Sequence, residues 1–80
     1  KKNIEKKLND IFCKVFLMEK NEISENLILQ KIDSWDSLGY LSLSIAIEDE
    51  FKIKIQNDDF TENLSFKELI AIINNKLLKE

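Results

Sequence analysis

The sequence predicts an all-α fold: a small four-helix bundle with three main helices, one short helix and a long first loop. Three observations lead there. Proline is absent and glycine occurs once in 80 residues, which removes the turn punctuation that a β-sandwich needs. Apolar residues recur at steps of three and four near both ends of the chain, the spacing of one helical face. Helix-start chemistry, Asp or Ser ahead of an apolar run, stands in the middle of the chain and again at the start of its last fifth. A hydrophobic content of 44% supports a compact core, although a domain of this size buries only about 60% of its unfolded surface. No repeat, low-complexity tract or linker divides the sequence, so residues 1-80 read as a single domain.

The first apolar series is Ile4, Leu8, Ile11, Phe12, Val15 and Phe16, which predicts a helix from residue 3 to about 18. Asn3 is the expected N-cap. Residues 19 to 35 fit neither helical nor strand periodicity throughout. Ile23, Leu27, Leu29, Ile32 and Trp35 are spread among polar residues there. This stretch is expected to be a long connection pinned to the core, with a short helical turn inside it, and loops of that length are often functional. Residues 37 to 51 predict a second helix with Asp36 as N-cap. The "FKIKI" run alternates but has no partner run, so it is expected to be loop. A short helical turn is expected near residues 57 to 61. The last helix starts at Ser65, where Ser65 and Glu68 match a capping box. Phe66, Leu69, Ile70, Ile73 and Leu77 form its core stripe.

Helix two carries two apolar stripes. At about 100° per residue, Tyr40, Leu43, Ile47 and Phe51 fall on one side, and Leu38, Leu41 and Ile45 fall nearly opposite. A helix covering one small core needs a single stripe. Either the helix is buried all round, or the first set faces the core and the second forms an exposed patch. Glu48 and Asp49 border that patch, and such patches mark partner sites. The expected docking residues are therefore Leu38, Leu41, Ile45, Glu48 and Asp49.

Ser37 opens this helix. Its first-turn amides lack helical partners and the positive end of the helix dipole lies behind them, so an anion attached to the hydroxyl would be favoured. The plain alternative is that Ser34 and Ser37 are ordinary helix-start residues. A nucleophilic serine has no base available, because the chain holds no histidine and no lysine lies near Ser37 in sequence.

Composition narrows the other classes. A net charge of −3 is not the basic footprint of a nucleic-acid binder. One cysteine forms no internal disulfide, in keeping with a reducing, cytoplasmic setting. Cys13 is expected to be a structural or partly exposed thiol. No apolar run is long enough to span a bilayer, and no signal-peptide pattern is present. The chain opens on lysine rather than methionine, so a trimmed N-terminus is expected. Histidine and cysteine clusters for a metal are lacking, and Asp58 and Asp59 are expected to serve the short helix rather than a cation.

The series "DSL" at 36 to 38, Leu41, Leu43 and Ile47, "EDEF" at 48 to 51, then "IKI" and "NDDF" resembles the acyl carrier proteins. The likeness runs from about residue 32 to 73, and the first helix also fits. It implies a four-helix bundle that is not an enzyme. It implies a 4′-phosphopantetheine on the serine of the Asp-Ser-Leu triplet, donated by coenzyme A through a separate Mg²⁺-dependent phosphopantetheinyl transferase. The terminal thiol would carry acyl or aminoacyl intermediates as thioesters between enzymes of a fatty-acid, polyketide or other specialised pathway. The matching serine is Ser37, since Ser34 lacks the following leucine and the helix register. Asp36 and Leu38 flank it, and Trp35 is placed to pack the preceding loop. Partners implied are the transferase and the loading and acyl-transfer enzymes, with the carrier a monomer. Typical fatty-acid carriers have acidic residues where this chain has Gly39 and Ser42, and often a proline where it has Gln56. That departure favours a dedicated carrier of a specialised pathway. The competing readings are a peptidyl or aminoacyl carrier, or an unmodified helical adaptor using the Leu38–Leu41–Ile45 patch.

Overall fold

A computed structural model describes residues 3–79 of the chain. Three α-helices dominate: α1 (Asn3–Phe16), α2 (Ser37–Phe51) and α3 (Phe66–Lys79). Single 3₁₀ turns lie at Lys20–Glu22, Leu29–Lys31 and Asn57–Asp59. The last stands where the short helix was expected. No helix is long and apolar enough to cross a membrane among the described residues.

Each helix follows from local sequence. The stripe of α1 puts Ile4, Leu8, Phe12 and Phe16 in the core. The expected cap at Asn3 is corrected: Asn3 is already helical, and position 2 lies outside the described residues. The end is corrected too. α1 stops at Phe16 because Leu17 turns left-handed (φ 55°) and Met18 N–H donates to Cys13 C=O at 3.2 Å. This is a Schellman-type closure without glycine. α2 ends by the simpler left-handed cap, with a bond four residues back rather than five. Lys52 sits at φ 58° and its N–H donates to Glu48 C=O at 2.9 Å. Such a conformation costs a non-glycine residue about 1–2 kcal/mol, which the packing on either side offsets. The capping box of α3 is present: Glu68 N–H donates to Ser65 Oγ at 3.2 Å and Ser65 N–H to Glu68 Oε1 at 3.0 Å.

The long connection is pinned by backbone as well as by apolar side chains. Leu29 N–H donates to Leu64 C=O and Phe66 N–H to Leu27 C=O, an isolated antiparallel bridge of Ile28 with Ser65. Among the described residues "FKIKI" forms no strand, and Ile53 drops into the core. Phe12 is fully buried at the centre, edge-on to Phe16 (5.5 Å) and Phe66 (5.2 Å). Leu43 and Ile47 of α2 and Leu69 and Ile73 of α3 close around it. That packing fixes the rotation of α2 and therefore what the helix turns outward.

Candidate functional site

The first turn of α2 is set by Asp36. Its backbone is extended (φ −156°, ψ −173°), and its Oδ1 accepts Gly39 N–H at 2.7 Å while its C=O accepts Tyr40 N–H at 2.8 Å. This is a standard N-cap. Ser37 is the first helical residue and is exposed; its N–H and that of Leu38 have no intrahelical acceptor by geometry. Ser34 is also exposed but lies in the preceding turn, before the cap.

The rotation of α2 separates its two stripes. Leu43, Ile47 and Phe51 are buried and Tyr40 is half-buried. Leu38, Leu41 and Ile45 are 73%, 52% and 57% exposed, an apolar strip beginning beside Ser37. Asp49 is exposed at its edge. Glu48 is half-buried, and its Oε2 accepts Ile55 N–H at 2.7 Å. Its carboxylate holds the chain that follows α2 rather than standing free at the rim. Lys52 and Lys54 join Ile45, Glu48 and Asp49 around a groove at the far end of the strip. The sequence pattern did not mark these two lysines as part of that surface.

An aromatic cluster supports the opposite flank. Trp35 stacks on Phe16 at 5.7 Å and meets Tyr40 and Phe60 at 6.3 and 6.2 Å. Tyr40 meets Phe60 edge-on at 5.0 Å. With Gln30, Asp36 and Ser37, the rings of Trp35, Tyr40 and Phe60 line a surface groove of about 350 Å³. The role expected for Trp35 is observed. Phe60 and Gln30 were not foreseen, because their approach to Ser37 depends on the path of two loops.

Gly39 belongs to the same construction. A Cβ there would lie 3.0 Å from the Phe16 ring, 3.2 Å from Ser34 C=O and 3.3 Å from Asp36 Oδ1. The glycine lets α1 and the Ser34 turn close against the first turn of α2. A longer acidic side chain has no room at that Cβ position without displacing them.

The remaining acidic and thiol groups have structural surroundings. Asp59 Oδ2 accepts Gln56 N–H at 3.0 Å and pairs with Lys76 at 3.1 Å. Cys13 is partly buried with its Sγ 3.6 Å from Asn9 Oδ1. Among the described residues no group of three or more His, Cys, Asp or Glu could hold a metal ion.

The fold and site define a class: a small helical scaffold that presents one serine at a capped helix start, next to an exposed apolar strip. No protein-family model matches the chain. It is 35% identical over 74 residues to the acyl carrier protein of Buchnera aphidicola subsp. Schizaphis graminum (strain Sg), which covers 92% of this chain and 94% of that one. It is 36% identical over 75 residues to the acyl carrier protein of Buchnera aphidicola subsp. Baizongia pistaciae (strain Bp), with the same coverage of 92% and 94%. The chain belongs to the acyl carrier protein family.

Proposed function

We propose that this chain is a carrier, not a catalyst, and that Ser37 bears 4′-phosphopantetheine. The observation that carries the reading is the exposed Ser37 at the first turn of α2, capped by Asp36 and flanked by the exposed Leu38. In the attachment step the Ser37 oxygen bonds to the phosphorus that links pantetheine in coenzyme A. The pyrophosphate P–O bond breaks, adenosine 3′,5′-bisphosphate leaves, and the serine proton passes to the transferase. The residues present suit this. The hydroxyl faces solvent, the helix N-terminus favours the phosphodiester anion, and the Asp36 carboxylate is engaged by Gly39 N–H. When attached, the arm supplies a terminal thiol that holds an acyl group as a thioester.

The chain's own part is presentation. Tethering raises the effective concentration of the cargo at each partner's active site. The Leu38–Leu41–Ile45 strip, with Asp49 at its edge and Glu48 beneath, is the surface on which the transferase and acyl-transfer enzymes dock. Gly39 and Ser42, where fatty-acid carriers are typically acidic, favour a dedicated carrier of a specialised pathway. In this reading the chain is one carrier domain acting in the cytoplasm.

Intact mass after incubation with a phosphopantetheinyl transferase and coenzyme A tests it. The wild-type chain and Ser34→Ala gain one phosphopantetheine group, and Ser37→Ala gains none. A modified Ser37→Ala refutes the site, and an unmodified wild type leaves the adaptor reading in its place.

A further inference from the structure

The far end of the apolar strip does not carry the charge that its acidic sequence, Glu48-Asp49-Glu50, suggests. Two of those three carboxylates are engaged. Glu48 Oε2 accepts Ile55 N–H at 2.7 Å, and Glu50 pairs with Lys7 of α1 at 3.2 Å. Just beyond them stand Lys52 and Lys54. Both are exposed, and neither ammonium group has an ion pair among the described residues.

The backbone fixes where the two lysines stand. Lys52 closes α2 at φ 58°, a conformation unfavourable for a residue with a Cβ. Ile53 then drops into the core, and Ile55 is tied back to Glu48. Lys52 and Lys54, on either side of Ile53, stay outside and line a groove of about 550 Å³ with Ile45, Glu48 and Asp49. Ile45, Asp49 and Lys52 follow at steps of four and three, so the groove continues the strip. Lys52 lies roughly 20 Å along the axis from Leu38. The face thus changes sign along its length: apolar from Leu38 to Ile45, one carboxylate at Asp49, then two ammonium groups. The C-terminal end of a helix carries partial negative charge, which opposes a small free anion settling against the backbone. A protein surface meets no such obstacle. Its carboxylates reach the ammonium groups from outside while its apolar side chains cover Ile45.

We infer that the phosphopantetheinyl transferase acting on Ser37 presents carboxylates to Lys52 and Lys54 and a basic group to Asp49, and that this sign pattern sets its register on α2. This rests on the assignment of Ser37, for which the transferase is the indispensable partner. An interface of standard size buries about 800 Å² on each side, a patch roughly 30 Å across, so an enzyme seated on the strip reaches from Ser37 to Lys54. A slip of one helical turn, about 5.4 Å, would set its carboxylates against Asp49. Such a like-charge contact disfavours the wrong register.

Loading kinetics test this, followed by intact mass with coenzyme A and the transferase encoded in the same genome. Salt is varied from about 0.01 M to about 1 M, over which the screening length falls from about 30 Å to about 3 Å. The variants are Lys52→Glu/Lys54→Glu, Lys52→Arg/Lys54→Arg, and Lys54→Glu alone, which leaves the helix end untouched; melts confirm that each is folded. For the double reversal kcat/KM falls about tenfold at low salt, through KM rather than kcat, and the deficit closes at high salt. The arginine variant loads as wild type, and Lys54→Glu shows a smaller deficit with the same salt response. Equal loading of wild type and the reversed variants at low salt overturns the inference, and so does faster loading of the reversal. A deficit that persists undiminished at high salt is structural and overturns it too. Intact loading in a reversed variant that no longer binds vesicles of anionic phospholipid, where wild type does, gives the lysines to a membrane instead. A wild type that gains no mass overturns both this inference and the carrier reading.

Discussion

Replacing Ser44 by alanine should stabilise the unmodified chain. The hydroxyl is buried without a partner among the described residues. Removing an orphaned polar group of this kind relieves about 1–3 kcal/mol on the scale of protein mutational data. Alanine adds up to about 0.7 kcal/mol of helix propensity. Against this stands the void left by one oxygen, smaller than a methyl group, which costs less than about 1 kcal/mol. The expected balance is a gain of about 1–2 kcal/mol, and each kcal/mol raises the melting temperature of a domain this size by about 4–8 °C. Urea melts report it directly, because Trp35, the sole tryptophan, stacks on Phe16 in the core and its fluorescence follows unfolding. The midpoint should rise at constant slope, the mark of a stability change. A loss of 1 kcal/mol or more in Ser44→Ala would mean that the hydroxyl has a partner in the folded, unmodified chain.

Three further outcomes follow from the packing. Phe51→Ala should cost about 3–5 kcal/mol in denaturant melts, as for a buried phenylalanine, and Ile45→Ala far less, since Ile45 is 57% exposed; the reverse order would invert the two faces of α2. Leu41→Glu should slow loading by the transferase with the melt unchanged, whereas Asp49→Lys should slow it only at low salt, because exposed charges are screened; normal loading of both folded variants would move the docking surface elsewhere. Gly39→Ala should lower stability by about 1 kcal/mol despite better helix propensity, since its Cβ would press on the Phe16 ring and on Ser34 C=O; a more stable variant would show that those neighbours yield.

The sequence made visible what depends on near neighbours. Asp36 and the Ser65/Glu68 pair announce helix starts because caps act within one turn. The two stripes of α2 are legible because helical rotation converts spacing into direction, and the core at Leu43 and Ile47 matches the stripe chosen for it. The end of α1 was less legible than that of α2, which falls at Phe51 as expected; the residues that close both helices carried no sequence mark. Leu17 and Lys52 adopt the left-handed conformation that glycine usually marks, and only the packing on either side makes them do so. The groove at Ser37 was hidden for the same reason: Gln30 and Phe60 reach it from separate loops. Ser44 drew no notice in the sequence, because its burial follows from how α2 is turned against the core.

The same accounting changes what the acidic residues of the second helix can do. Asp36 is engaged as the cap and Glu48 holds Ile55 N–H. Glu50 points the other way and pairs with Lys7 of α1 at 3.2 Å. On the side of the apolar strip, Asp49 is the α2 carboxylate left exposed without a partner among the described residues, and Lys52 and Lys54 stand at the strip's far end. Gly39 cannot take an acidic side chain without moving Phe16 or the Ser34 turn. A surface with so little unspent negative charge has a weak long-range pull on a basic partner, and charge complementarity acts mainly on the rate of encounter. What it offers instead is three large apolar side chains in a row over roughly 10 Å of helix. On the proposed docking face, recognition would rest on close apolar contact, which governs how long a complex lasts more than how fast it forms.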